Sequence, residues 1–237
     1  MTAERKPERA RPDAGRTGAV ERLPEEWETA PEPGWIDPNL AREFPGLSIA
    51  QTTLSVGAGR SPEPLRERLR LLSDRFGGAQ AVTLRQQSIP WAYRVFFRHI
   101  GLDPDQTPTP VEQVALDRMK HGRFRSENRV DDALTIAMAE VGVALQAFDA
   151  DRVGGKVGLR LSAPGEGFEG RTSPLPDGTI VIADEERALA VLFGKTAEGR
   201  GVRGKTARTL LVALGVRGVP EVALEEALWV AASAMHA

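Results

Sequence analysis

Gly199 to Thr206 reads GRGVRGKT. It fits G-x-x-x-x-G-K-T, a loop whose backbone N–H groups cradle nucleotide phosphates while its lysine neutralises them and its hydroxyl holds Mg²⁺. Lys205 and Thr206 would take those last two roles, which would make the chain a P-loop nucleotide hydrolase. Such a loop needs a strand directly before it and a helix directly after it. Here the strand-like ALAVLF ends at Phe193, and the ARTLLVALGV that follows is rich in Val and Leu. These flanks point instead to a mobile basic loop between two strands. A loop of that kind offers Arg200, Arg203, Lys205 and Arg208 to the phosphates of an RNA, with glycines that let the backbone come close. Nucleophilic catalysis finds little support, with no cysteine, no G-x-S-x-G elbow and no Ser or Thr with a His nearby in sequence. Asp131-Asp132 and Glu185-Glu186 are adjacent acids that point different ways on a helix or strand, so they read as caps and surface.

The chain has 237 residues, 41% of them hydrophobic, enough to bury a real core in one large domain or two small ones. The absence of cysteine rules out a disulfide framework and thiolate metal sites. The three histidines, His99, His121 and His236, lie far apart, and neither metal nor cofactor is expected. No apolar run approaches the roughly 18 residues of a membrane span, and the N-terminus has no apolar signal core. A cytoplasmic protein without a membrane partner is therefore expected. A formal charge of -2 argues against a protein that coats nucleic acid along its whole surface, and no DNA partner is expected.

Residues 1–34 mix six basic and eight acidic side chains with Pro and Gly and show no apolar period, so they read as a disordered tail. The remainder is electrically balanced. Within it, residues 195–217 hold Lys195, Arg200, Arg203, Lys205, Arg208 and Arg217 against Glu198 alone, the place for a phosphate-bearing partner.

The elements that must hold these residues are legible in outline. Residues 47–56 alternate and carry Thr and Val, as a strand does. Leu65, Leu69 and Leu72 repeat at helical spacing between Pro62 and Phe76. A second helix covers about 86–100, where Tyr93, Phe96, Phe97 and Ile100 form a stripe that reads as core rather than as a base-stacking platform. Thr109-Pro110-Val111-Glu112 is a capping box opening a helix to about Lys120. Asn128 suits the cap of the next helix, with Asp131 and Asp132 in its first turn. Strand-like runs follow at about 156–162, 178–183, 188–193 and 207–216, and a helix at about 221–235. Helices dominate the first half and strands the second, an α+β pattern.

From Arg125 to Val216 the order is an Asn128/Asp132-opened helix, an Ala147-Phe148-Asp149 turn, Gly154, short strands ending VIAD at Asp184, and the basic loop before a last apolar strand. That ordered set resembles the tRNA-editing (B3/B4) domain of the phenylalanyl-tRNA synthetase beta chain, and more closely the free-standing proteins built from that domain. The likeness covers roughly residues 43–237 and implies a single B3/B4-like domain over 35–237, with Asn128, Asp132, Asp149, Gly154 and Asp184 as its framework. It also implies metal-free hydrolysis of the ester of a mischarged tRNA, in a pocket that positions a water.

In that family the opening helix carries a Thr-Asn pair and the later turn reads His-Ala-Phe-Asp. This chain has Leu134-Thr135 and Gln146-Ala147-Phe148-Asp149, and the family's pocket glutamate falls near Val212. Gln146 can orient a water or an amino group but cannot act as a base at neutral pH. The expectation is an RNA-binding protein whose partner is tRNA or aminoacyl-tRNA, hydrolysing some misacylated tRNA in trans. Its pocket would lie near Thr135, Gln146, Lys195 and Thr196. A non-catalytic pocket for a free amino acid or a tRNA end fits the same fold, while a complete tRNA ligase is not expected.

Overall fold

The computed structural model describes residues 27–236. In chain order these form β1 (Glu32–Pro33), β2 (Trp35–Ile36), α1 (Pro38–Glu43), β3 (Ser48–Leu54), α2 (Glu63–Arg75), α3 (Gly78–Leu84), α4 (Ser88–His99), α5 (Pro110–His121), α6 (Arg129–Val141), β4 (Ala144–Asp149), β5 (Gly158–Leu161), β6 (Ile180–Ala183), β7 (Ala188–Val191), β8 (Thr209–Gly215) and α7 (Glu221–Met235). Helices lead and strands follow, as the α+β reading expects.

Local chemistry starts the helices. Thr109 and Glu112 exchange side-chain and backbone bonds in the expected capping box at the head of α5. Asn128 Oδ1 accepts from the N–H groups of Val130 and Asp131 at the head of α6, satisfying two donors that a helix start leaves unpaired. The helix α1 was not foreseen; Asp37 caps it through the N–H groups of Asn39 and Leu40.

Two four-stranded sheets, ordered β1-β3-β8-β4 and β2-β5-β6-β7, combine the early strands β1, β2 and β3 with the five strands of the second half. The first is antiparallel throughout, with β8 central and fully buried. Gln51, Val212 and Gln146 are cross-strand partners in β3, β8 and β4 and therefore share one face of this sheet. That face looks toward the second sheet, because Gln51 Oε1 accepts from the Val157 N–H beside β5. The opposite face is covered by α7, whose Leu224 packs against Gly215. Tyr93 and Phe97 of α4 are fully buried, so the aromatic stripe is core. The Tyr93 hydroxyl donates to the Leu214 carbonyl and accepts from the Ala144 N–H, closing the end of the β4–β8 ladder at a register pair.

Three local expectations need correction. Ala147-Phe148-Asp149 is the end of strand β4 rather than a turn; the chain turns afterwards, in a 3₁₀ turn at Ala150–Arg152 capped by Asp149. The strand expected to reach 193 stops at Val191, because Phe193 adopts a left-handed φ of 56°. Residues 27–34, placed by composition in the disordered tail, are paired: Trp27 bridges Leu54 and β1 pairs with β3. Local composition did not reveal those long-range partners. Residues 1–26 lie outside the described residues.

Glu28 illustrates how that segment is held. Its carboxylate accepts from Arg208 and from the Ser55 hydroxyl. The Arg208 bond first, then the Ser55 bond, hold its pKa down from 4.5 to about 2. The folded value lies below the unfolded one, so this stabilisation is complete above about pH 4.5 and is lost as pH falls toward 2. Glu28→Gln should lower the urea midpoint near pH 6 and converge on the wild type near pH 2. The tie is solvated, so the difference should stay under about 1 kcal/mol.

Candidate functional site

Residues 196–201 stitch the two sheets together. Thr196 bridges Ala190 of β7, Gly201 bridges Phe148 of β4, and the Ala197 N–H and Arg200 carbonyl bond Leu189 and Asp149 on either side. The hairpin that delivers Thr196 turns at Phe193, whose ring packs against Tyr93, Phe96 and Phe97 of α4. A left-handed backbone at a bulky residue is strained, and this aromatic packing offsets the strain while fixing where Lys195 and Thr196 sit. Across the seam Gln146 Nε2 donates to Thr196 Oγ1 at 2.8 Å. The Thr196 proton and Gln146 Oε1 are thereby left to a ligand, one donor and one acceptor side by side.

Lys195 and Thr196 also wall a cavity of about 640 Å³ together with Phe168, Glu169, Gly170, Arg171 and Glu198, a size that suits a nucleotide-scale ligand. The 163–175 loop forms its other wall. Glu166 accepts both ends of the Arg160 fork and the Ala163 N–H, and Arg160 holds its carboxyl below the usual range. Gly170 takes a φ of 87° and lies so close to Glu198 that a Cβ would stand 2.9 Å from the Glu198 Cβ. Only glycine fits there comfortably.

Charge is distributed unevenly around the cavity. Arg200 donates both arms of its fork to Glu169 and a third bond to the Arg152 carbonyl, and its bonds to Glu169 lower that carboxyl's pKa. Arg208 is likewise committed, to Glu28 and Asp151. Of the four expected phosphate contacts, then, Arg200 and Arg208 serve as internal ties. Arg203 and Lys205 are exposed and make no ion pair among the described residues, and Lys195 and Arg171 stand the same way. Arg171 was not foreseen, because nothing in GFEGRTS separates a cavity wall from an ordinary loop.

The remaining expected residues divide clearly. Thr135 does not join Gln146; it lines a separate cavity of about 210 Å³ with Arg118, His121 and Phe124, since its helical position faces α5 rather than the seam. Asn128 and Asp132 serve the start of α6. Asp149 accepts from the Thr206 hydroxyl, and Asp184 accepts from the N–H groups of Gly154, Glu186 and Arg187. Val212 is fully buried.

The P-loop geometry is absent. Strand β8 follows Thr206 where a helix is required, and the Thr206 hydroxyl is spent on Asp149. No group of three His, Cys, Asp or Glu able to hold a metal occurs among the described residues, and no helix among them is long and apolar enough to cross a membrane. His99 lines a different cavity, beside Phe44 and Leu161. His121 bonds the Asp117 carbonyl and His236 the Ala232 carbonyl.

Comparison with known proteins gives one family match, the B3/4 domain, over residues 92–221. Among curated relatives, the phenylalanine–tRNA ligase beta subunit of Pseudomonas syringae pv. syringae (strain B728a) is 29% identical over 164 residues, 68% of this chain and 20% of that protein. The subunit of the same name from Legionella pneumophila (strain Lens) is 36% identical over 78 residues, 32% of this chain and 10% of that protein. These matches span a fifth or less of the relatives' own length.

Proposed function

The chain belongs to the B3/4 domain family, and from that premise we propose that it binds RNA, taking the aminoacylated end of a tRNA at the seam between its two sheets and hydrolysing misacylated ester there in trans. The observation that carries this reading is the Gln146–Thr196 hydrogen bond beside the cavity whose walls include Lys195 and Arg171. Cations without carboxylate partners among the described residues meet the phosphates of the RNA end, and the neutral donor–acceptor pair meets the amino acid and a water. The names of the relatives, ligases for a tRNA, support tRNA as the partner. Such a protein works in the cytoplasm, where translation supplies its substrate.

In the reaction a water oxygen attacks the ester carbonyl carbon. The bond from that carbon to the ribose oxygen breaks, and the ribose oxygen leaves with a proton, giving free amino acid and tRNA. Gln146 Oε1 orients the water, and Thr196 donates toward the carbonyl oxygen. Neither group takes a proton at neutral pH, so solvent carries the protons and the protein contributes positioning.

A second reading, a non-catalytic holder of an amino acid or tRNA end, is favoured by one observation: no histidine lies among the cavity walls. Filter retention of labelled tRNA, with deacylation followed across a panel of misacylated tRNAs, separates the two. We expect retention, and turnover of at least one member whose rate climbs steadily from about pH 6 to 8 without the inflection near 6.5 that a histidine base would impose. Retention without turnover would leave the holder; no retention would end the editing reading and leave only a holder of a free amino acid.

A further inference from the structure

We infer that Arg152 and Arg203 together hold a single phosphate group above Gly199. The point where a side chain would leave Gly199 lies 3.0 Å from Arg203 Nη2 and 4.0 Å from Arg152 Nη1. Both guanidinium groups therefore lean over one patch of bare backbone, separated by no more than those two distances together. Gly199, at a φ of 84°, leaves open the space that any side chain would occupy.

Two cations this close repel unless an anion lies between them, and among the described residues Arg152 alone of the two has a carboxylate within ion-pair distance. The ion-pair contact of Arg152 is Nε to Asp149 Oδ2 at 4.0 Å, and that oxygen already accepts from Thr206. Arg203 has no ion pair among the described residues. Arg200, the third guanidinium nearby, is used up on Glu169 and on the Arg152 carbonyl.

The roots of the two side chains are fixed even though their tips are exposed. The Arg200 bond anchors the Arg152 backbone, and the Arg203 N–H donates to Thr206 Oγ1 at 2.9 Å. A tetrahedral phosphate, accepting charge-assisted bonds of about 2.8 Å on two of its oxygens, bridges nitrogens roughly 5–8 Å apart. A carboxylate can span two guanidinium groups, as Glu169 does between Arg187 and Arg200, but a phosphate offers a further acceptor oxygen with which to fill both forks at once. The site therefore takes a phosphate, whether from an RNA backbone or from a free phosphate compound. Only the RNA source rests on the proposed function.

The test uses the full chain. During titration with inorganic phosphate, the arginine Nε–H resonances of Arg152 and Arg203 should move together with one midpoint while those of Arg200 and Arg208 stay. In Arg203→Ala the Arg152 shift should vanish. Resonances that stay still, or that move with separate midpoints, would overturn the site whether or not tRNA binds.

A second arm measures tRNA retention across salt for Arg152→Ala, Arg203→Ala and the pair. A shared RNA phosphate predicts that each single change weakens binding and flattens the log–log salt slope by about 0.7–0.9, with the double change losing little more than either alone. Coupled phosphate shifts with unchanged slopes would assign the site to a free phosphate compound. A wild type that retains no tRNA would remove the RNA reading, and the resonance arm would still decide the site.

Discussion

Asp132→Ala should cost about 3–5 kcal/mol of folding stability, the range for breaking a buried charged network. Asp132 is 1% exposed, and its carboxylate accepts from the Ser61 hydroxyl at 2.6 Å, the Ser126 hydroxyl at 2.5 Å and the Glu127 N–H at 2.8 Å. Hydrogen bonds to a charged group are each worth about 1.5–3 kcal/mol. Ser126 and Glu127 recover part of that by turning to water, but Ser61 is buried and does not. The loss falls on the junction of three segments: the entry to α2, the loop before α6, and α6 itself. Urea denaturation should show a lower midpoint with little change in slope, and Asp132→Asn, which keeps one acceptor oxygen, should lose less. The same residue has no contact with the seam, so activity per folded molecule should survive. A variant of normal stability that has lost its activity would move Asp132 from framework to chemistry.

Gln146→His should change the reaction more than any other single substitution at the seam. Gln146 already reaches Thr196 Oγ1, so an imidazole there lies within reach of the water that the glutamine only orients. A positioned general base contributes about 10²–10⁴-fold. The expected result is a rise in single-turnover deacylation of about 10²-fold on whichever misacylated tRNA the wild type turns over. It should be accompanied by a new inflection near pH 6.5. Single-turnover rates across pH are the measurement, because release of tRNA does not limit them. An unchanged rate with unchanged tRNA affinity would place the reacting carbonyl away from Gln146 and favour the non-catalytic reading.

What sequence could show follows from the range of the interactions involved. The Thr109–Glu112 box and the Asn128 cap are closed within three residues, so the helices they start were readable. The strand β4 was missed because ALQAFD is short and its partner β8 lies far along the chain. The roles of the arginines failed for the same reason. A basic run can be counted from sequence, but Arg200 is neutralised by Glu169, 31 residues away, and Arg208 by Glu28, 180 residues away. Two apparent phosphate contacts are thus internal ties, while Arg171 and Arg152, unremarkable in sequence, stand beside the cavity and above Gly199. Gln146 and Thr196, 50 residues apart, were brought to one site by resemblance, and the seam joins them with a hydrogen bond. Thr135 was drawn in by the same alignment, and its helical face puts it elsewhere.

Receipt of a tRNA end by the cavity beside the Gln146–Thr196 pair is the step on which the proposed activity depends. Its most direct test is equilibrium retention of labelled tRNA by the wild type and by the Arg171→Glu, Lys195→Glu double variant at one fixed salt concentration, with folding of both confirmed by thermal unfolding. Reversing two cations that make no ion pair among the described residues, at the proposed mouth for the RNA end, should weaken retention by at least about tenfold, equivalent to roughly 1.4 kcal/mol. It should also flatten the salt dependence of whatever binding remains. Equal affinity and an equal salt slope in the two proteins would contradict the claim.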